Sequence, residues 1–105
     1  MAARVNGEDF EEKVLQAELP VLLEFYSDSC IPCKRMSGPL ADIEEEYAGK
    51  LLVYKVNVNF EEALAKQYEV LAAPTLLVIQ NGEEKARRTG AAKKAEIVEF
   101  IQAYI

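Results

Sequence analysis

The feature that most constrains this chain is a run of successive apolar residues, Val21-Leu22-Leu23-Glu24-Phe25-Tyr26, interrupted by a single charge. A short run that is apolar at consecutive positions makes a strand covered on both faces, and such a strand lies at the centre of a sheet. Leu51 to Val58 reads as a second central strand and Thr75 to Ile79 as a third. Segments of helical character separate them, which places the chain in the α/β or α+β layer folds. Glu24 is the anomaly, because a carboxylate inside a central strand is costly unless it is paired or protonated.

The remaining elements follow from periodicity and punctuation. Ala3 to Val5 fits a short edge strand. Asn6 has the character of an N-cap, with Asp9 three residues on, and Val5 and Phe10 occupy hydrophobic-staple positions. A first helix is predicted over Gly7 to Gln16, with Phe10 and Val14 inward and Pro20 ending the connection. Met36, Leu40, Ile43 and Tyr47 mark one face of a second helix over Cys30 to Tyr47. Pro39 should kink it, Gly49 should stop it, and Glu44, Glu45 and Glu46 form a solvated face. A short helix is expected over Phe60 to Tyr68. Asn81-Gly82 is a hairpin signal joining the third strand to a partner over Glu84 to Thr89, broken by Gly90. Lys93 to Tyr104 closes the chain as a helix without a good N-cap, with Ile97, Val98, Ile101 and Tyr104 inward. Lys85, Arg87, Arg88, Lys93 and Lys94 mark a charged edge that resists aggregation, with a partner-docking patch as the alternative.

Composition removes several function classes. The 105 residues suit one domain over 1–105, and 50% apolar with 29% charged residues is ordinary for a globular chain. Twelve basic against eighteen acidic residues give a net charge of -6, which argues against nucleic acid and anionic membranes as partners. There is no histidine, so imidazole acid–base catalysis and imidazole metal ligation are absent. The N-terminus reaches Glu8-Asp9 without an apolar stretch, and no segment approaches the roughly 18 apolar residues of a membrane span. A cytoplasmic location, in a reducing compartment, is the expectation.

The two cysteines, Cys30 and Cys33, are the only ones. Random placement would give that spacing about one time in fifty, and here it follows a buried strand and opens a helix. At a helix N-terminus, free N–H groups and the macrodipole favour an anion, so the Cys30 thiolate should form more readily than that of a free cysteine. Lys34 and Arg35 add positive charge nearby. Cys33, one turn deeper, would be more buried, so Cys30 attacks and Cys33 resolves. Pro32 sits in the first helical turn, where its missing N–H costs little. Three alternatives stay open at this point: a zinc site completed by carboxylates, a metal or iron–sulfur site shared between two chains, and a purely structural disulfide.

The ordered set of motifs resembles the thioredoxin family along nearly the whole chain. Leu23 to Lys34 resembles the family's active-site strand and helix start, Pro39 its kinking proline, and Lys55-Val56-Asn57-Val58 its third strand. Ala73-Pro74-Thr75 resembles its cis-proline loop, and Asn81-Gly82 with Gly90 its hairpin and following turn. The resemblance implies a thioredoxin fold, with a central mixed sheet of about five strands flanked by about four helices. It implies a thiol-disulfide oxidoreductase acting on protein disulfides, with Pro74 cis and packed against the cysteines. The backbone at Ala73 would pair with the substrate chain, and Ser29, Ile31, Pro32, Pro74 and Gly90 would complete the substrate surface. By the same resemblance Glu24 accepts the proton of Cys33 and Lys55 tunes Glu24; the alternative is a Glu24 at a strand edge reaching solvent.

Two departures bear on function. Ser29 stands where the family usually has tryptophan, and Ile31 where it usually has glycine. The resemblance implies a thioredoxin reductase as electron donor, protein disulfides as substrates, a monomer, and no bound cofactor, since the electrons reside in the cysteines. The rival readings are a disulfide oxidase or isomerase, and a non-catalytic binding module of the same fold.

Overall fold

The computed structural model describes residues 2–105. Strands β1 (Ala3–Arg4), β2 (Val21–Tyr26), β3 (Leu52–Asn57), β4 (Thr75–Gln80) and β5 (Glu83–Thr89) form one sheet in the order β1-β3-β2-β4-β5. β3 runs parallel to β1 and β2, and β4 runs antiparallel to β2 and β5. Four α-helices flank it: α1 (Ile31–Arg35), α2 (Ser37–Glu46), α3 (Glu62–Gln67) and α4 (Lys94–Ile101). This is the five-stranded mixed sheet with four helices that the sequence led one to expect.

β2 is central, as its apolar run requires. Alternate side chains of a strand point to opposite faces. Val21, Leu23 and Phe25 therefore join Phe10, Val14 and Leu64 beneath the N-terminal segment and α3. Leu22 points the other way, to Met36, Leu40, Ile43 and Ile97 beneath α2 and α4. Leu22, Leu23 and Phe25 have no exposed surface, and each such side chain is worth roughly 1.5–3 kcal/mol of burial.

Local signals set the element ends. Asn6 Oδ1 accepts the N–H groups of Glu8 and Asp9 at 2.8 and 3.0 Å, and Asp9 Oδ1 accepts the Asn6 N–H at 2.7 Å. Val5 and Phe10 are both buried. The helix that follows is not the α-helix expected over 7–16. Its regular part is a π-helical turn, Glu11–Leu15, with the Gln16 N–H bonded to Glu11 O at 2.8 Å. An apolar pattern this short fixes which face is inward but not the winding.

The helix expected over 30–47 is two helices broken at Met36. The break sits four residues before Leu40 rather than at Pro39 itself. Proline at 39 denies a donor to the Arg35 carbonyl and crowds it, so the distortion falls one turn upstream. The Leu40 N–H then resumes the ladder on Met36 O at 3.0 Å. Gly49 follows α2 with φ 86°, a conformation natural to glycine. α4 starts at Lys94, where the Glu96 side chain accepts the Lys93 N–H at 2.8 Å, a partner the sequence reading passed over.

The hairpin is as predicted, with Asn81 and Gly82 at φ 54° and 79° between β4 and β5. β5 is an edge strand, and its cations are paired: Arg87 with Glu84 at 2.9 Å and Arg88 with Glu96 at 3.1 Å. Among the described residues no helix is long and apolar enough to cross a membrane.

Gly82→Ala tests the hairpin. Its Cβ would require an unfavourable positive φ and would meet Leu15 O at 3.3 Å. Urea denaturation should show a loss of about 1–2 kcal/mol. A loss below about 0.3 kcal/mol would mean that the turn does not hold the strand register.

Candidate active site

Both cysteines lie where β2 hands over to α1. The Tyr26 carbonyl ends the β2–β3 ladder by accepting the Val58 N–H at 2.8 Å. The chain turns through Ser27 to Cys30, closed by the Cys30 N–H on Ser27 O at 3.3 Å. Cys30 is the N-cap of α1, and its Sγ accepts the Cys33 N–H at 3.1 Å. Pro32 stands in the first turn, where no donor is lost. Cys30 and Cys33 form a disulfide with Cα atoms 5.2 Å apart. Cys30 is half-buried and Cys33 is 4% exposed, the asymmetry expected of an outer and an inner thiol.

Glu24 lies beneath them. It shares the face of Leu22, under α1 and α2, and pairs in register with Lys55 on β3 and Leu76 on β4. It is 4% exposed, so it is not at a strand edge reaching solvent. Its Oε2 is buried and has no hydrogen-bond partner among the described protein groups. Burial pushes its pKa up from 4.5 to about 7, and the positive charge of Lys55 acts in the opposite direction. The Lys55 ammonium lies 5.0 Å from the centre of the Tyr26 ring, a cation–π contact. A cavity of about 160 Å³ is lined by Glu24, Cys33, Ser37 and Lys55, with Asp28 and Lys34. It joins the inner thiol, the buried carboxylate and the lysine in one space.

The other expected site residues fall around the outer thiol or at the same end of the sheet. Ser29 and Pro32 are exposed, and Ile31 is 62% exposed. The Ala73–Pro74 peptide bond is cis. The β2–β4 pairing ends at Phe25 and Thr75, so the Ala73–Pro74 peptide and the turn that carries Cys30 both leave the sheet at this same end. Pro74 is buried, Ala73 is half-buried, and Gly90 closes on this loop through its N–H to Pro74 O at 2.8 Å. The Thr75 hydroxyl donates to Ala72 O at 2.7 Å and fastens the loop from inside.

Sequence reasoning missed a hydrogen-bonded ring formed by Asp28, Asn57 and Asn59 behind the Cys30 turn. The available signal was Asn57, an amide at the end of an apolar strand, where a buried polar side chain needs partners. A larger concavity, about 960 Å³, lies between α3, Leu71 and Arg87 and contains neither thiol, so size does not identify the reactive site here. Among the described residues no group of three or more Cys, Asp or Glu is placed to hold a metal ion.

A family model described as Thioredoxin matches residues 1–103. Thioredoxin from Haemophilus influenzae is 38% identical over 101 residues, covering 96% of this chain and 94% of that protein. Thioredoxin C-2 from Corynebacterium nephridii is 39% identical over 100 residues, covering 95% and 93%. A chloroplastic M-type thioredoxin from Spinacia oleracea is 36% identical, covering 96% of this chain and 56% of its own length.

The raised pKa of Glu24 makes folding pH-dependent. The unfolded chain releases this proton near pH 4.5 and the folded chain near 7, so stability falls as pH rises between those values and levels off above. Glu24→Gln removes the ionisation. It should be more stable than the parent at pH 8, by about 3 kcal/mol at most, and the advantage should vanish below pH 4.5. Denaturation at a series of pH values checks this, and parallel profiles for the two proteins would contradict it.

Proposed function

The chain belongs to the thioredoxin family and is a thiol-disulfide oxidoreductase of the protein-disulfide reductase type, and from that premise we propose how its residues divide the reaction. Cys30 as a thiolate attacks one sulfur of a substrate disulfide. A mixed disulfide forms, and the substrate's other sulfur leaves as a thiolate that takes a proton. Cys33 gives its proton to Glu24 and attacks the Cys30 sulfur. The second substrate sulfur is released, and the Cys30–Cys33 disulfide remains. Two electrons pass from the cysteine pair to the substrate, and no other redox group takes part.

The observation that carries this division is the cavity shared by Cys33, Glu24 and Lys55 beneath a half-buried Cys30. A buried inner thiol is served by a base in the same cavity, and a carboxyl with a pKa of about 7 exchanges protons near neutral pH. Lys55 acts through charge, holding that value below what burial alone would impose. Pro32 fixes the turn between the two cysteines. Ser29, Ile31, Ala73, Pro74 and Gly90 form the rim that receives the substrate chain, with the Ala73 backbone pairing to it as an added strand. The natural partners in this reading are protein disulfides and a thioredoxin reductase that restores the dithiol. The chain works as one domain over 1–105, as a monomer, in the cytoplasm, in electron transport and redox homeostasis.

Cys33→Ser should accumulate a stable mixed disulfide with a protein substrate through Cys30, visible by mass spectrometry. Cys30→Ser should form none and should lose insulin reduction. Trapping by Cys30→Ser instead would reverse the two roles. Equilibration in graded thiol–disulfide buffers should give a potential near about −270 mV. A value of about −180 to −120 mV would show that Ile31 and Ser29 have moved the pair into the range of isomerases and oxidases.

A further inference from the structure

The turn that carries Cys30 is held from outside itself. Ser27 to Cys30 closes with one backbone bond of 3.3 Å, which uses neither the N–H nor the carboxylate of Asp28 at its corner. Both go to the end of β3. The Asp28 N–H donates to Asn59 Oδ1 at 2.9 Å, and Asp28 Oδ1 accepts from Asn57 Nδ2 at 2.8 Å. The ring closes through the Asn59 N–H, which donates to Asn57 Oδ1 at 2.8 Å. Asn57 is 3% exposed, with both ends of its amide engaged. It is also the last paired residue of β3, opposite Tyr26, so it moves with the rigid centre of the sheet. Asp28 is exposed and two residues from the nucleophile.

We propose that Asn57 is a positioning residue for the reaction, locking the Ser27–Cys30 turn to β3 through Asp28 and Asn59 so that Cys30 Sγ stays on the Cys33 N–H. The proposal rests on Cys30 being the nucleophile. A three-bond ring between a strand end and a turn restricts rotation of the turn; in the disulfide form the bond to Cys33 also holds Sγ 3.1 Å from its donor, so the ring carries this task once that bond is reduced. Small misplacement of a reacting atom is expensive in rate, on the order of a hundredfold for about 1 Å. Asp28 also lines the cavity of Glu24 and Cys33, so its charge is a competing explanation for any effect of its removal.

Three substitutions separate position from charge. Asn57→Ala breaks the ring and leaves every charge in place. Asp28→Ala breaks the ring and removes a charge. Asp28→Asn removes the charge but keeps an acceptor oxygen for the Asn57 amide. The readouts are kcat/KM for insulin disulfide reduction, the pH profile of Cys30 alkylation in the reduced protein, and Tm. Asn57→Ala and Asp28→Ala should each lose about tenfold or more in kcat/KM, and Asp28→Asn should recover most of the loss. The Asn57→Ala alkylation profile should move to higher pH. The double variant Asn57→Ala, Asp28→Ala should be no worse than the poorer single one, because both break the same ring.

Equal impairment of Asp28→Asn and Asp28→Ala would overturn the proposal in favour of charge. So would an Asn57→Ala protein with the parent's rate and profile, or a rate loss that disappears at temperatures well below its Tm. Activity surviving in Cys30→Ser would instead remove the nucleophile assignment, a distinct failure that takes the proposal with it.

Discussion

The structure depends on β2 being covered on both faces. A strand in that position must find apolar partners above and below, and Val21, Leu22, Leu23 and Phe25 find them in two separate clusters. The same enclosure traps Glu24. Its neighbours in register are Lys55 and Leu76, so the carboxyl has a cation on one flanking strand and an apolar side chain on the other. The perturbed proton affinity beneath the disulfide is a by-product of the packing that makes the sheet possible. The burial that builds the sheet centre and the burial that perturbs Glu24 therefore share one cause.

Much of this was legible in the residues. The extent of β2 was read to the residue, because an apolar run bounded by Pro20 and a polar turn leaves little latitude. The hairpin at Asn81-Gly82 was equally clear, since few dipeptides tolerate two successive positive φ values. The helix ends were less so. Apolar spacing over 30–47 reports one continuous face, and two helices broken at Met36 present that face nearly as well as one. The π-helical turn at Glu11–Leu15 was hidden for the same reason. Among the site residues, the cysteine pair declared itself by context, and Glu24 by being out of place. Roles assigned to Ala73, Pro74 and Gly90 came from resemblance, because a proline loop carries no chemical signature of its own. The Asp28–Asn57–Asn59 ring left one sign only, the amide of Asn57 at the end of an apolar strand, since it joins residues about thirty apart through polar contacts that leave no periodic trace.

The two thiols differ in environment more than in identity. Cys30 sits at a helix end with a backbone donor on its sulfur, while Cys33 lines a cavity with a carboxyl and a lysine. Their exposure differs accordingly, with Cys30 half-buried and Cys33 4% exposed. There is no histidine, and the titratable side chain that shares a cavity with Cys33 is a carboxylic acid whose pKa burial raises to about 7.

The sheet is also a partition. The cluster beneath the N-terminal segment and α3 meets the cluster beneath α2 and α4 only through the strands between them. Changes of side-chain volume on the two sides are expected to combine additively, because they share few neighbours. Glu24 and Cys33 belong to the α2 side, so the far side is a region in which sequence can drift, gaining or losing stability, while the proton chemistry stays as it is. A lineage of such proteins could adapt to heat on one face of the sheet and to new redox partners on the other.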